Sequence, residues 1–229
     1  MMRSPLLVES SLAQTVAAVE DAVFFGRPPT RRDARRVMEW LADRHATAKG
    51  YRRTMCAPTE EDRREGARLF TGERLGPGAQ MLHVLGEEAY RSYLLLAKWN
   101  EGADMAPAER MSEPIANFID HEYEGRYCCG PCSVSVWRAL SAGGYSRTEE
   151  RLRLGMHFLH TKRDGKGRWG NLPFYYTLLT LTEIDLPEAR IEVDYAAKTC
   201  EQLLQRHATI VEPFATRRSA ILERTLSTL

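Results

Sequence analysis

Residues 155–170 of the chain read GMHFLHTKRDGKGRWG, and this stretch carries the clearest structural signal in the sequence. The aromatic–aliphatic pair Phe158-Leu159 closes a helical apolar pattern, and a polar turn rich in glycine follows it. Trp169 stands at the end of that turn, just before the next predicted helix. Because glycine adopts left-handed backbone conformations without steric cost, it suits such a reversal. The stretch therefore predicts a helical hairpin whose corner is filled by an aromatic side chain.

The same pattern occurs at two earlier places in the chain. Phe118-Ile119 precedes Gly125-Arg126-Tyr127-Cys128, and Trp40-Leu41 precedes Lys49-Gly50-Tyr51-Arg52. Phe158 follows Phe118 by 40 residues, and Phe118 follows Trp40 by 78, nearly two such periods, so we place a diverged unit around residues 69–76. A helical hairpin cannot bury both of its faces alone, so repeated hairpins are expected to stack on one another.

The stretch from Gly155 to Gly170, continued by Pro173-Phe174 and a predicted helix, resembles the repeat of the prenyltransferase and terpene-cyclase group. The resemblance is clearest over residues 150–183, weaker over 115–140 and faint over 36–60. In that group a helix leads into an Asp-Gly-x-Trp-type turn, and the repeats close into an α/α barrel around a cavity. The resemblance implies an all-α fold of stacked helical hairpins that form a small or incomplete α/α barrel.

The catalytic residues of that group do not carry over to this sequence. The chain contains neither the Asp-x-Asp-Asp run of the squalene-type cyclases nor the Asp-x-Cys pair of the zinc-dependent protein prenyltransferases. The Cys-His pair of the lanthionine cyclases, which share the barrel, is also missing. The resemblance therefore implies a fold and leaves the activity open.

Helical periodicity elsewhere in the chain agrees with an all-α fold. Apolar residues recur on one helical face from Leu12 to Val23, and no run alternates in the manner of a strand. Thr30 is a predicted helix cap with Asp33 as its partner, and Ser146 to Glu149 has the pattern of a capping box. We expect about ten helices in a single domain over residues 1–229.

The composition of the chain limits which kinds of binding partner and which cellular compartment are expected. The 229 residues carry a formal net charge of +1, which gives no overall field for nucleic acid, and no segment approaches the length of a membrane span. The N-terminal apolar stretch is too short for a signal peptide, and the five cysteines form no secreted disulfide pattern. These features predict a cytoplasmic protein whose partner is a small molecule or another protein.

The sharpest local motif is Cys128-Cys129-Gly130-Pro131-Cys132. By comparison with the other repeats, this motif lies where a helix begins. Three interpretations remain open: packing of small side chains, thiol redox chemistry, or metal binding. The spacing Cys129-x-x-Cys132 suits zinc, and His157 and His160, three apart on one predicted helix, are candidate additional ligands.

The implied barrel suggests a site for a small, apolar, isoprenoid-like molecule, with or without catalysis. Its candidate lining is aromatic: Tyr127, Trp137, Trp169, Phe174, Tyr175 and Tyr176. The alternative is that these aromatics are corner packing in a non-catalytic scaffold that binds proteins. His83 and Glu87, four apart on one predicted helix, form either an acid–base pair or, as we favour, an exposed ion pair.

Overall fold

The computed structural model describes residues 6–45, 55–207 and 214–229. These residues form ten α-helices, and their β-structure amounts to two isolated bridges. The helices are α1 (Leu12–Phe24), α2 (Arg31–Arg44), α3 (Glu60–Glu65), α4 (Ala79–Ala97), α5 (Ala106–His121), α6 (Gly130–Ala142), α7 (Thr148–His160), α8 (Phe174–Leu181), α9 (Pro187–His207) and α10 (Ala215–Leu226). The all-α prediction is confirmed. In the described part of the chain, no helix is long and apolar enough to span a membrane.

Of the two helix caps predicted from the sequence, one is present in the structure and the other is not. The Thr30 side chain accepts a hydrogen bond from the Asp33 backbone N–H at 3.1 Å, as predicted. The capping box at Ser146 is wrong, because Arg147 occupies the cap position of α7 in a left-handed conformation, with φ of 50°, and no side chain caps this helix. Two glycines with positive φ, Gly143 and Gly144, precede this cap.

The chain divides into two compact units, each assembled from several segments. Unit 1 contains the described residues of 1–70, 74–122 and 142–146, and unit 2 contains those of 71–73, 123–141 and 147–229. The expectation of a single domain stays a prediction, as does the small or incomplete α/α barrel. The first aromatic–glycine corner, Lys49-Gly50-Tyr51-Arg52, lies outside the described residues.

Unit 1 is organised around α4, which packs against α1, α2 and α5. Most of its 19 residues are buried, charged ones included, so this helix does not have the exposed polar face of a surface helix. Arg91 of α4 forms a buried ion pair with Glu20 of α1. Asp62 of α3 accepts hydrogen bonds from the backbone N–H groups of Leu12 at 2.9 Å and Ala13 at 3.3 Å, and so holds the start of α1.

Unit 2 is organised around α9, which packs against α7, α8 and α10. The α6 helix joins this unit through Arg138, whose guanidinium donates to the Glu183 carboxylate at 2.8 and 3.2 Å and lies over the Tyr176 ring. The polar turn after α7 is closed by an antiparallel bridge between Arg163 and Trp169.

A similar bridged loop supports the diverged unit that the sequence suggested near residues 69–76. There Arg68 and Arg74 form an antiparallel bridge with the same six-residue separation as Arg163 and Trp169. Gly72 and Gly167 each stand four residues after the start of their bridge, and both have positive φ, of 90° and 78°. The two loops therefore share the spacing of their bridge and the position of one positive-φ glycine, but Gly165 has positive φ where the other loop has Phe70, which does not.

Candidate functional site

The cysteine motif forms the turn that leads into α6. The Cys129 carbonyl accepts the backbone N–H of Ser133 at 2.9 Å and thereby starts the helix. The buried Ser133 hydroxyl donates to the same carbonyl at 2.8 Å and accepts the Tyr127 N–H at 2.9 Å. Ser133 therefore ties together the two residues on either side of Cys128, and this fixes the turn from which the thiols project.

The three thiols of this turn lie together. The Sγ atoms of Cys128 and Cys132 are within 4.8 Å of each other, and the Cys132 thiol interacts with those of both Cys129 and Cys128. Cys128 is exposed, Cys129 is half-buried and Cys132 is buried, so the cluster extends from the protein surface into the interior. None of the three is in a disulfide bond in the described part of the chain.

Burial controls the protonation of this cluster. It raises the pKa of the Cys132 thiol far above its usual range, and the neighbouring Cys129 and Cys128 thiols raise it further. Partial burial also raises the pKa of the Cys128 thiol, although a hydrogen bond with Cys132 opposes that change. A helix N-terminus usually lowers the pKa of a nearby thiol, but for these two residues the cost of burying charge outweighs that effect.

A second loop of unit 2 supports the cysteine turn from one side. A Cβ atom added to Gly130 would lie 2.5 Å from the Asn171 carbonyl oxygen and 3.3 Å from the Leu172 Cα. The first residue of α6 is thus in backbone contact with the loop that follows Trp169. This close approach explains a glycine in the first turn of a helix, where it has no propensity advantage.

Two of the candidate lining aromatics have defined structural partners. The Trp169 indole N–H donates to the buried Glu192 carboxylate at 2.7 Å, and the ring stacks on Phe174 with centroids 6.1 Å apart. The Trp137 indole N–H donates to the Gly125 carbonyl at 3.0 Å. Both tryptophans therefore complete corners of the fold, as the packing alternative expects.

The remaining candidates differ in their burial. Tyr176 is buried beneath Arg138, whereas Tyr127 and Tyr175 are half-buried. Arg218 lies over the Tyr175 ring, 4.8 Å from its centroid. A small-molecule site lined by these aromatics stays a prediction, and so does the protein-binding scaffold.

The two candidate histidines lie on the exposed side of α7. His157 is exposed, and His160 contacts the Glu192 carboxylate through Nδ1 at 3.0 Å. Within the described ranges, neither joins the cysteines in a group compact enough to hold a metal ion. The structure brings the three cysteines together and leaves these histidines apart from them.

Sequence reasoning did not identify Glu192 as an important residue. Its carboxylate is 1% exposed and also accepts from the Arg163 guanidinium at 3.0 and 2.9 Å, in addition to the Trp169 and His160 contacts. A buried carboxylate with this many donors is typical of a structural centre. The sequence pattern of α9 did not indicate a structural role for Glu192, because its hydrogen-bonding partners precede it by 23 to 32 residues in the chain.

The other buried carboxyl group of interest lies in unit 1. Glu87 is 1% exposed and His83 is 5% exposed, so the favoured prediction of an exposed ion pair is wrong. The prediction failed because α4 is covered on several sides by other helices of its unit. Burial raises the pKa of Glu87 well above its ordinary value, the adjacent Glu88 raises it further, and the Tyr145 hydroxyl lowers it.

Comparisons with protein families, curated proteins and solved structures find no match for the chain.

Proposed function

We propose that the protein binds a thiophilic metal ion, of the class of Zn²⁺, through Cys128, Cys129 and Cys132. The observation that carries the proposal is that the Cys128 and Cys132 sulfurs lie within 4.8 Å of each other at the start of α6, and that the Cys132 thiol also interacts with the Cys129 thiol. Thiolate sulfur is the ligand that zinc and other soft ions prefer, whereas magnesium and calcium prefer oxygen.

The spacing of the thiols suits such an ion. Zinc–sulfur bonds of about 2.3 Å place the sulfurs of a tetrahedral site about 3.8 Å apart. The Cys128 and Cys132 sulfurs, within 4.8 Å of each other, reach that separation by small side-chain rotations. Three protein thiolates leave one coordination position for water or another ligand, the arrangement that zinc has in catalytic sites.

The protonation of the cluster argues against thiol redox chemistry. A thiol that attacks disulfides is usually a stabilised thiolate with a lowered pKa, and the pKa values of Cys128 and Cys132 are raised instead. A divalent cation removes the mutual repulsion of three thiolates and displaces their protons on binding. We therefore expect the affinity to fall as the pH is lowered.

The turn is also held in place before any ion binds. Ser133 fixes the backbone on both sides of Cys128, and Gly130 packs on the Asn171 carbonyl. Ligands that are positioned in advance need less ordering on binding, which supports a site of useful affinity.

The test is metal binding by the purified, reduced chain. We expect one equivalent of Zn²⁺ in elemental analysis, and thiolate-to-metal charge-transfer absorption when Co²⁺ replaces it. Cys128→Ser, Cys129→Ser and Cys132→Ser should each weaken binding at least tenfold. Cys200→Ala, which removes a buried thiol outside the cluster, is the matched control and should bind like wild type.

Circular dichroism of each variant separates loss of ligands from loss of fold. If folded Cys→Ser variants retain wild-type stoichiometry and affinity, or if the wild-type chain gives no cobalt–thiolate absorption, the proposal is wrong.

A further inference from the structure

Glu87 is a buried carboxyl group that the proposed metal site does not use. It lies in the middle of α4, the helix on which unit 1 is built, and its residue is 1% exposed. Neither of its oxygens meets hydrogen-bond geometry with any residue in the described part of the chain. A buried ionised carboxylate is strongly unfavourable, so the neutral acid is the form that this environment accepts.

The segment beside Glu87 is the turn of residues 142–146, which belongs to unit 1. Its Tyr145 hydroxyl lies next to the Glu87 carboxyl, and the Tyr145 ring meets the Tyr90 ring edge to face with centroids 5.3 Å apart. Tyr90 donates a hydrogen bond to the Gly143 carbonyl at 3.2 Å. A Cβ atom on Gly144 would lie 2.0 Å from the Tyr90 hydroxyl oxygen, so the turn is pressed against α4.

Charged groups around Glu87 within unit 1 do not compensate an ionised carboxylate. On α4 itself the adjacent group is Glu88, which has the same charge, and His83 lies one turn earlier. The buried Arg91 is paired with Glu20 of α1. The buried faces of α2 and α5 are apolar. From the turn, Tyr145 offers a neutral hydroxyl.

We propose that Glu87 is a proton-operated latch: its neutral carboxyl allows the 142–146 turn to dock on α4, and its ionisation releases the turn. An ionised Glu87 needs water, and the docked turn with Tyr145 is what excludes water from it on this side. The proton is the ligand of this site, and the inference does not rest on metal binding at the cysteines.

Hydrogen–deuterium exchange of the full chain between pH 5 and pH 9 tests the latch. Protection of peptides covering residues 141–147, corrected for the intrinsic pH dependence of exchange, is expected to fall as Glu87 ionises. An opening coupled to the loss of one proton becomes about tenfold more favourable per pH unit between the open-state pKa and the raised folded-state pKa of Glu87, and levels off above the folded-state pKa. Glu87→Gln, which is nearly isosteric and cannot ionise, should keep its protection across this range.

Two further variants define the result. Glu113→Gln, an exposed carboxylate on α5, is the matched control and should retain the wild-type pH dependence. Tyr145→Phe should move the loss of protection to higher pH, since its hydroxyl lowers the pKa of Glu87. Unchanged protection of α9 peptides shows that unit 2 has not unfolded.

The latch is refuted if wild-type protection of the turn does not change with pH, or if Glu87→Gln retains the wild-type dependence. Either result leaves the metal proposal untouched, because its readout is metal stoichiometry in the cysteine variants.

Discussion

The Glu73 carboxylate lies 2.9 Å from the backbone nitrogen of Tyr175 and caps a helix that begins 101 residues later in the chain. The same oxygen accepts the Tyr176 N–H at 3.3 Å. Pro173 occupies the cap position of α8 and has no side chain that accepts hydrogen bonds, so this helix starts without a local cap. Glu73 takes over that role and also places a negative charge at the positive end of the helix.

Replacement of Glu73 should therefore destabilise unit 2. Glu73→Ala leaves two N–H groups of α8 without their acceptor and is expected to lower the free energy of unfolding by about 1–2 kcal/mol. Glu73→Gln keeps an acceptor oxygen and should lose less. Urea denaturation followed by circular dichroism measures both, with Glu101→Ala as an exposed control. Equal stabilities of Glu73→Ala and the control would contradict the capping role.

A helix cap supplied by a residue far away in the sequence, such as Glu73, cannot be predicted from local sequence patterns. Thr30 and Asp33 are three residues apart, and their cap was predicted and is present. Glu73 and Tyr175 are far apart in sequence, and no local pattern joins them. The Ser146 box failed although it is local, because Arg147, in a left-handed conformation, occupies the cap position instead. Helix existence follows from local periodicity, whereas the contacts that hold helix ends depend on tertiary packing.

The Trp169–Glu192 hydrogen bond gives a second stability prediction. Trp169→Phe keeps an aromatic ring in the corner but removes a donor from a carboxylate that is buried. Loss of a hydrogen bond to a charged group should cost about 1.5–3 kcal/mol, to which the smaller ring adds a packing loss. Thermal and urea unfolding measure the change. Trp40→Phe, a half-buried tryptophan on α2, is the control and should change stability less. A Trp169 variant as stable as the control would show that this contact is dispensable.

At the candidate site, too, the features that depend on local sequence were predictable, whereas those that depend on tertiary packing were not. The Cys128 to Cys132 spacing placed the thiols at a helix start, and the structure confirms that position. Their raised pKa values were not predictable, because burial depends on surrounding elements that the motif does not specify. For the same reason, the pattern of α4 gave no sign that Glu87 lies in the interior. A spacing of four residues shows that two side chains share one face of a helix, but it does not show whether that face is exposed to solvent.

Glu87 also predicts a pH dependence of global stability. Its folded-state pKa is raised from the ordinary value of 4.5, so the folded protein holds this proton more tightly than the unfolded chain. The stabilisation that this proton provides is complete below pH 4.5 and is lost as the pH rises towards the folded-state pKa. Glu87→Gln should therefore match wild type more closely at pH 4 and gain on it at pH 8, by about 2–4 °C in Tm for each kcal/mol. Thermal scans at both pH values measure this, and a difference in Tm that is the same at pH 4 and pH 8 would contradict it.

Gly130 links the fold to the proposed metal site without supplying a ligand. A Cβ atom at this position would meet the Asn171 carbonyl oxygen at 2.5 Å, and because both partners are backbone, either the cysteine turn or the Asn171 loop must shift. Gly130→Ala is therefore expected to weaken zinc affinity by about tenfold or more while all three thiols remain, since outer contacts of this kind orient metal ligands. Competition with a chromophoric zinc chelator measures the affinity. Gly76→Ala is the matched control, because its added methyl would meet only the flexible Gln80 side chain. If Gly130→Ala binds zinc as tightly as Gly76→Ala does, the loop at Asn171 does not position the cysteines, and the ligands must be held by the α6 turn alone.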